Sequence, residues 1–206
     1  MKDGQLAIDY LNSMEERRII KTHLPLEFLP DGVLEKCKVV YVARNPKDTA
    51  VSYYYHSKNI GLHGFTGTVE ELIDLFMEDL VFYGPYWNHI TGAWNKKTER
   101  NLKFLWYEDM KADQMKVIEE LCEFLQKPLT EEQKTKLFAT VQFDNMKANP
   151  FSSPAPTDVL DQSIFFRKGL VGDWENHFDK QRSEKWEAWI ENNITGTGLE
   201  KLPLFQ

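Results

Sequence analysis

The chain has 206 residues, 42% of them hydrophobic and 13% aromatic, and 25 Lys and Arg against 32 Asp and Glu leave a formal charge of −7 with the histidines neutral. That is material for one domain around one core, which at this size hides about 70% of its extended surface, and it excludes wholesale disorder. The acidic balance excludes nucleic-acid binding by counterion release, although it leaves room for a local basic site that takes a small anion.

No run reaches the roughly 18 to 20 apolar residues of a membrane span, and the first 18 residues lack the apolar core of a signal peptide. Cys37 and Cys122 sit in apolar runs without CxxC or Cys/His spacing, so they read as buried thiols and not as a disulfide or zinc site. The expectation is a soluble, cytoplasmic protein with no metal, membrane or nucleic-acid partner.

In chain order, Arg18 to Thr22 (RIIKT) reads as a first strand, ending at Lys21, Thr22 and His23 before Pro25. Cys37 to Ala43 (CKVVYVA) reads as a second. It runs into Arg44, Asn45, Pro46, Lys47 and Asp48, where Asn45 can cap a helix, Pro46 suits its first position and Asp48 favours its positive end. Thr68 with Glu71 forms a capping box ahead of Leu72, Leu75, Phe76 and Leu80. Leu102 to Tyr107 (LKFLWY) is the third strand. Met115, Ile118, Leu121, Cys122 and Leu125 then carry helical spacing, and Thr130 to Gln133 repeats the capping device. Asn149 to Pro156, with three prolines in eight residues, reads as a loop, and Trp186, Trp189 and Ile190 mark a last helix after Ser183. Strands alternating with helices imply an α/β fold, a parallel sheet flanked by helices on both faces, although three strands make a thin sheet for this length.

In such a sheet ligands bind beyond the carboxyl ends of the strands. Arg44 sits where a strand hands over to a helix N-terminus, a place suited to an anion, and Ser52 lies about two turns further on; a surface ion pair is the commoner fate of such an Arg. Strand alternation would put Lys21 and His23 on one face, an ammonium beside an imidazole that could take a proton, although a strand-end His is more often satisfied by a carbonyl. Phe165, Phe166, Arg167, Lys168 and Gly169 make a cationic reversal in an acidic chain, and Arg, Lys and Gly together suit a phosphomonoester; taken singly, a solvated basic loop is the default. Tyr107 and Phe143, with Met146 close behind, could sandwich a planar base, although a single aromatic is more often core. Tyr53, His56, Phe65, Phe82 and Phe151 are candidate walls of an acceptor pocket, although each such residue is more often structural than selective.

Together these segments resemble the cytosolic sulfotransferases, which move a sulfuryl group from 3′-phosphoadenosine 5′-phosphosulfate (PAPS) to a hydroxyl or amine. The matching stretches are IIKTHLP from Ile19, YVARNPKDTAVSYYY from Tyr41, FMEDLVFYGPYWNHITGAW from Phe76, FLWYEDM from Phe104 and FFRKGLVGDWENHF from Phe165. The resemblance implies that His23 is the general base and that Lys21 lies beside the sulfuryl group. It further implies that Arg44 and Ser52 hold the donor's 3′-phosphate with Arg167, Lys168 and Gly169, and that Tyr107 and Phe143 contact the adenine. Val141 stands where the family often has Thr near that base, with Met146 following. PAPS would be a co-substrate, and no metal is implied.

The chain departs from the family pattern in the loop of the type TYPKSGTTW, which cradles the 5′-phosphosulfate: nothing like it precedes Lys21, which only 20 residues precede. The resemblance is therefore to a member of the family lacking that loop and the strand leading into it, residues 1–206 forming the carboxyl-terminal portion of a single domain. The family's dimer segment is also altered, with Asp179 and Lys180 standing within Glu175 to Glu184 where Thr-Val is usual, so a homodimer by that route is left open. The implied activity is sulfation of a small hydroxyl- or amine-bearing acceptor. The alternative is a relative that binds adenosine 3′,5′-bisphosphate (PAP) without transfer. A nucleotide kinase is disfavoured because GxxxxGK is missing.

Overall fold

Two five-residue strands, β1 (Val39–Ala43) and β2 (Leu102–Trp106), lie side by side in parallel, with Val39 opposite Leu102 and Ala43 opposite Trp106. They belong to a computed structural model describing residues 7–59, 63–152 and 165–205. Parallel neighbours need a long crossover, supplied here by α3 (Pro46–Asn59), α4 (Val69–Met77) and α5 (Tyr86–Trp94). Short helices α1 (Ala7–Ser13) and α2 (Val33–Lys36) precede the sheet. After it come α6 (Tyr107–Ala112), α7 (Gln114–Leu125), α8 (Glu131–Thr140), α9 (Phe143–Ala148) and α10 (Lys180–Ile194).

Local chemistry accounts for most boundaries. Both capping boxes form, Thr68 with Glu71 and Thr130 with Gln133, each satisfying two amides that a helix start leaves unpaired. Asn45 Oδ1 accepts from the Lys47 amide at 2.9 Å ahead of Pro46. Asp179 caps α10 through the Arg182 amide at 2.7 Å, so that helix begins earlier than Ser183, and Asp179 and Lys180 serve as its cap and first residue.

The first expected strand does not form. Residues 18–22 are irregular and exposed, with Ile19 92% and Ile20 67% accessible. A β-branched run becomes a strand only when a neighbour takes its amides and carbonyls, and no described strand lies beside it. Cys37 also departs from expectation: it follows the last turn of α2 and is exposed, while Cys122 is half-buried. Of Asn149 to Pro156, Asn149 caps the end of α9 and Pro150–Ser152 form a 3-10 turn; residues 153–156, and the side chain of Phe151, lie outside the described residues.

One helix closes two cores. Trp186 of α10 is buried with Ala50, Val51, Ile73 and Phe76, whereas Ile190 and Ile194, one and two turns on, join Ala43, Trp87, Ile90 and Trp106. The period of α10 thus places its indole against α3 and α4 and its isoleucines against the sheet. Among the described residues no helix is long and apolar enough to cross a membrane.

Candidate functional site

The in-register strands deliver two segments to one sheet edge. Arg44 and Asn45 follow Ala43, Tyr107 and Glu108 follow Trp106, and the two pairs touch: the Arg44 guanidinium lies 4.4 Å above the Tyr107 ring, and the Asn45 amide donates to Glu108 Oε1 at 2.8 Å. Burial pushes the Glu108 carboxyl up, against that amide's pull. Burial likewise raises the Tyr107 hydroxyl, opposed by Arg44. Arg44 Nη2 also donates to the carbonyl of Leu170 at 2.7 Å and stands 3.6 Å from Asp48 Oδ2, while its buried Nε has no hydrogen-bond partner among the described residues. The Tyr86 hydroxyl holds the Arg44 carbonyl.

Leu170 belongs to the second cationic segment, so the two patches, more than 120 residues apart in the chain, meet. Asp48 ties them. It is 1% exposed, and its carboxylate accepts from the amides of Gly172 at 2.7 Å and Trp174 at 3.1 Å. It therefore does more than face the positive end of α3, as its position in the sequence suggests. Lys47 lies 4.1 Å over the Trp174 ring and 3.1 Å from Glu187, closing the same seam.

Within the segment, the Arg167 guanidinium stacks 4.3 Å over Tyr55, with Nη1 2.6 Å from Asp173 Oδ2 yet without hydrogen-bond alignment. Lys168 Nζ donates to Asp173 Oδ1 at 2.7 Å. Burial alone would raise the Asp173 carboxyl, but the hydrogen bond from Lys168 and the charge of Arg167 win and hold it at about 2. Gly169 has φ +64°, and a Cβ there would overlap the Phe143 ring, so the basic loop and this aromatic meet at the glycine. Gly169→Ala combines a left-handed conformation costing about 1–2 kcal/mol with that overlap. Urea unfolding should register a loss of at least about 2 kcal/mol; a neutral substitution would refute the contact.

Phe143 also meets Phe166 edge-on at 6.0 Å. Val141 ends α8, its carbonyl accepting from Gln114 Nε2 at 3.2 Å, and the half-buried Met146 sits one turn along α9 from Gln142. Ser52 is half-buried two turns into α3; no hydrogen bond or ion pair ties it to Arg44 among the described residues.

Lys21 and His23 form a separate end of the site. Without a strand they share no strand face; both are exposed, the His23 ring lying 5.1 Å from that of Tyr83. The His23 carbonyl accepts from His89 Nε2 at 3.1 Å. A carbonyl cannot donate, so His89 carries its proton on Nε2, leaving Nδ1 beside the Tyr41 hydroxyl at 2.6 Å. Burial lowers the His23 pKa, and Lys21, His89 and His63 lower it further. His63 is 5.0 Å from His56 and 5.5 Å from Phe82, ring to ring. Sequence reasoning missed His63 and His89. Their signal was the count, since four of five histidines gather around this end.

Helix α5 spans the two ends. Tyr86 touches the Arg44 carbonyl and His89 the His23 carbonyl, three residues apart on one face. Two cavities of about 330 and 310 Å³ lie elsewhere, beside Cys122 and Leu129 and beside Leu26 and Val33, and contain none of the predicted site residues. Among the described residues no group of three or more His, Cys, Asp and Glu is arranged to hold a metal ion.

Comparison with known proteins places this geometry. The model of the sulfotransferase domain matches residues 1–198. The chain is 41% identical over 186 residues to sulfotransferase 1 family member D1 of Rattus norvegicus, covering 88% of this chain and 63% of that one, and 38% identical over 199 residues to sulfotransferase 1B1 of Mus musculus, covering 94% and 67%. It thus spans about two thirds of the length of these relatives. Among solved structures it resembles mouse sulfotransferase SULT7A1 complexed with PAP (TM-score 0.84, 30% identity, covering 94% of this chain and 71% of that one). It also resembles retinol dehydratase in complex with androsterone and inactive cofactor PAP (TM-score 0.83, 33% identity, covering 91% and 56%).

Proposed function

This chain belongs to the sulfotransferase domain family, and from that premise we propose that it transfers a sulfuryl group from PAPS to a hydroxyl or amine of a small acceptor. The observation carrying this reading is the meeting of Arg44 with the loop that follows Arg167, Lys168 and Gly169, through the Leu170 carbonyl and Asp48. Two guanidinium groups and an ammonium brought to one region of an acidic chain favour a phosphate dianion. The buried Arg44 Nε, which has no hydrogen-bond partner among the described residues, is a donor such an anion would satisfy. Two solved relatives are described as PAP complexes, which supports reading that anion as the 3′-phosphate of the donor.

On this reading Ser52 adds a hydroxyl, and Tyr107, Phe143, Val141 and Met146 line the adenine. PAPS supplies the activated sulfuryl group. His23, its imidazole favoured in the unprotonated form by burial, by Lys21 and by the nearby His89 and His63, takes the acceptor's proton as the acceptor oxygen or nitrogen bonds to sulfur. The bond between sulfur and the bridging oxygen breaks, and its electrons leave on the phosphate of PAP. Lys21 faces the charge spread over the transferring oxygens.

Thermal unfolding of the purified chain tests the donor site. PAP at about 100 times its Kd should stabilise by about 2.7 kcal/mol, with 5′-AMP, which lacks the 3′-phosphate, giving less at equal concentration. No difference between the two nucleotides would sink the phosphate assignment. Sulfation of 4-nitrophenol with PAPS tests transfer, and PAP stabilisation without turnover would favour a nucleotide-binding relative.

A further inference from the structure

We infer that Asp173 is a positioning residue for the donor phosphate, fixing Arg167 and Lys168 from a single carboxylate before any nucleotide arrives. The inference rests on the donor-site reading above and adds a residue to it.

Asp173 is 4% exposed and takes one cation on each oxygen, Lys168 on Oδ1 at 2.7 Å and Arg167 on Oδ2 at 2.6 Å. Asn176 Nδ2 donates to Oδ1 at 3.1 Å, and His177 Nε2 stands 3.6 Å from Oδ2. The two oxygens of a planar carboxylate are rigidly related, so they set where both cations lie relative to one another. The Lys168 side chain is itself 44% exposed; untethered, a side chain of this kind loses up to about 2 kcal/mol of rotamer entropy when a ligand orders it. Tethering removes that cost from the binding step.

The carboxylate orients the cations without using them up. Lys has three N–H donors and Arg five; Asp173 takes one N–H of Lys168 and faces only Nη1 of Arg167. The tether is itself anchored, because the residues on either side of Asp173, Gly172 and Trp174, donate their amides to Asp48, which also faces Arg44. A relay therefore runs from Arg44 through Asp48 and the backbone at 172–174 to Asp173, and on to Arg167 and Lys168. Loss of Asp173 leaves the fold's apolar cores intact and releases only the far end of this relay.

The test is the ratio of affinities for PAP and 5′-AMP, measured by calorimetry on the whole chain. A merely structural role would weaken both nucleotides alike and leave the ratio unchanged. Asp173→Asn keeps the shape but turns an NH2 toward one cation. It should reduce the preference for PAP about tenfold, the order of one charge-assisted hydrogen bond, with 5′-AMP affinity unchanged. Asp173→Glu keeps the charge and shifts it by a methylene, so the preference should fall about threefold; should the Asn variant fail to fold, the Glu variant decides alone. An unchanged ratio, or tighter PAP binding, in the folded variant overturns the inference while leaving the donor site standing. A wild-type chain without preference for PAP overturns both.

Discussion

Asp48→Ala should lower the free energy of unfolding by about 3–5 kcal/mol, the scale on which breaking a buried, hydrogen-bonded charge is felt. The carboxylate is 1% exposed and accepts from two backbone amides of a segment more than 120 residues away. Alanine leaves both amides without an acceptor, at about 1–3 kcal/mol each, and leaves Arg44 without its nearest carboxylate. The effect is therefore double. Urea unfolding should show the midpoint falling, and the stabilisation by PAP should vanish even at temperatures where the variant is folded, because Arg44 and the loop at 167–172 lose their common fastening. Asp48→Asn keeps one acceptor and should fall between wild type and Ala. A loss below about 1 kcal/mol for Ala would mean the amides find water, and the seam would not be closed as described.

His23→Ala should slow sulfuryl transfer by about 10²- to 10⁴-fold, the usual yield of a positioned general base, with PAP affinity unchanged because His23 meets α5 at His89 and makes no contact with Arg44 or the loop at 167–172 among the described residues. The pH profile carries a second signature. Burial, Lys21, His89 and His63 all lower the His23 pKa, so the imidazole stays unprotonated to lower pH than an ordinary histidine. The acid limb of the rate should consequently lie below the ordinary imidazole value of about 6.5 and be flat above it. Lys21→Ala removes one cationic neighbour and should move that limb upward. A variant at 23 that loses PAP binding as much as turnover, or a limb unmoved by the loss of Lys21, would remove His23 from the role of base.

What could be read from the sequence was local. Thr68 with Glu71, Thr130 with Gln133, and Asn45 before Pro46 signal helix starts through contacts only two or three residues long, and all three form. That the segments after Ala43 and Trp106 meet at one sheet edge was legible because parallel strands end on the same side. What could not be read depends on partners far away. RIIKT has the composition of a strand, but its pairing is decided by a neighbour and not by its own residues. Helix α5 begins at Pro85 without a capping side chain and contains Thr, Ile and Trp, which favour helix weakly. In the sequence Asp48 reads only as a charge at the positive end of a helix, and nothing singles out Asp173. Their burial follows from a contact across most of the chain that no periodicity encodes. Family resemblance named the cations but not the two carboxylates that hold them.

Tyr86 and His89 stand on a single turn of α5, one touching the carbonyl of Arg44, the other the carbonyl of His23. That turn acts as a fixed spacer. Because a helix turn resists stretching, the gap between the proposed nucleotide site and the proposed proton acceptor is set once and would not adapt to the acceptor. Adjustment to bulkier or slimmer acceptors must then come from the side that α5 does not brace, where Phe82 and Tyr83 are largely solvent-facing. Divergence in acceptor choice should accumulate on that outer rim, while the spacer stays the same length.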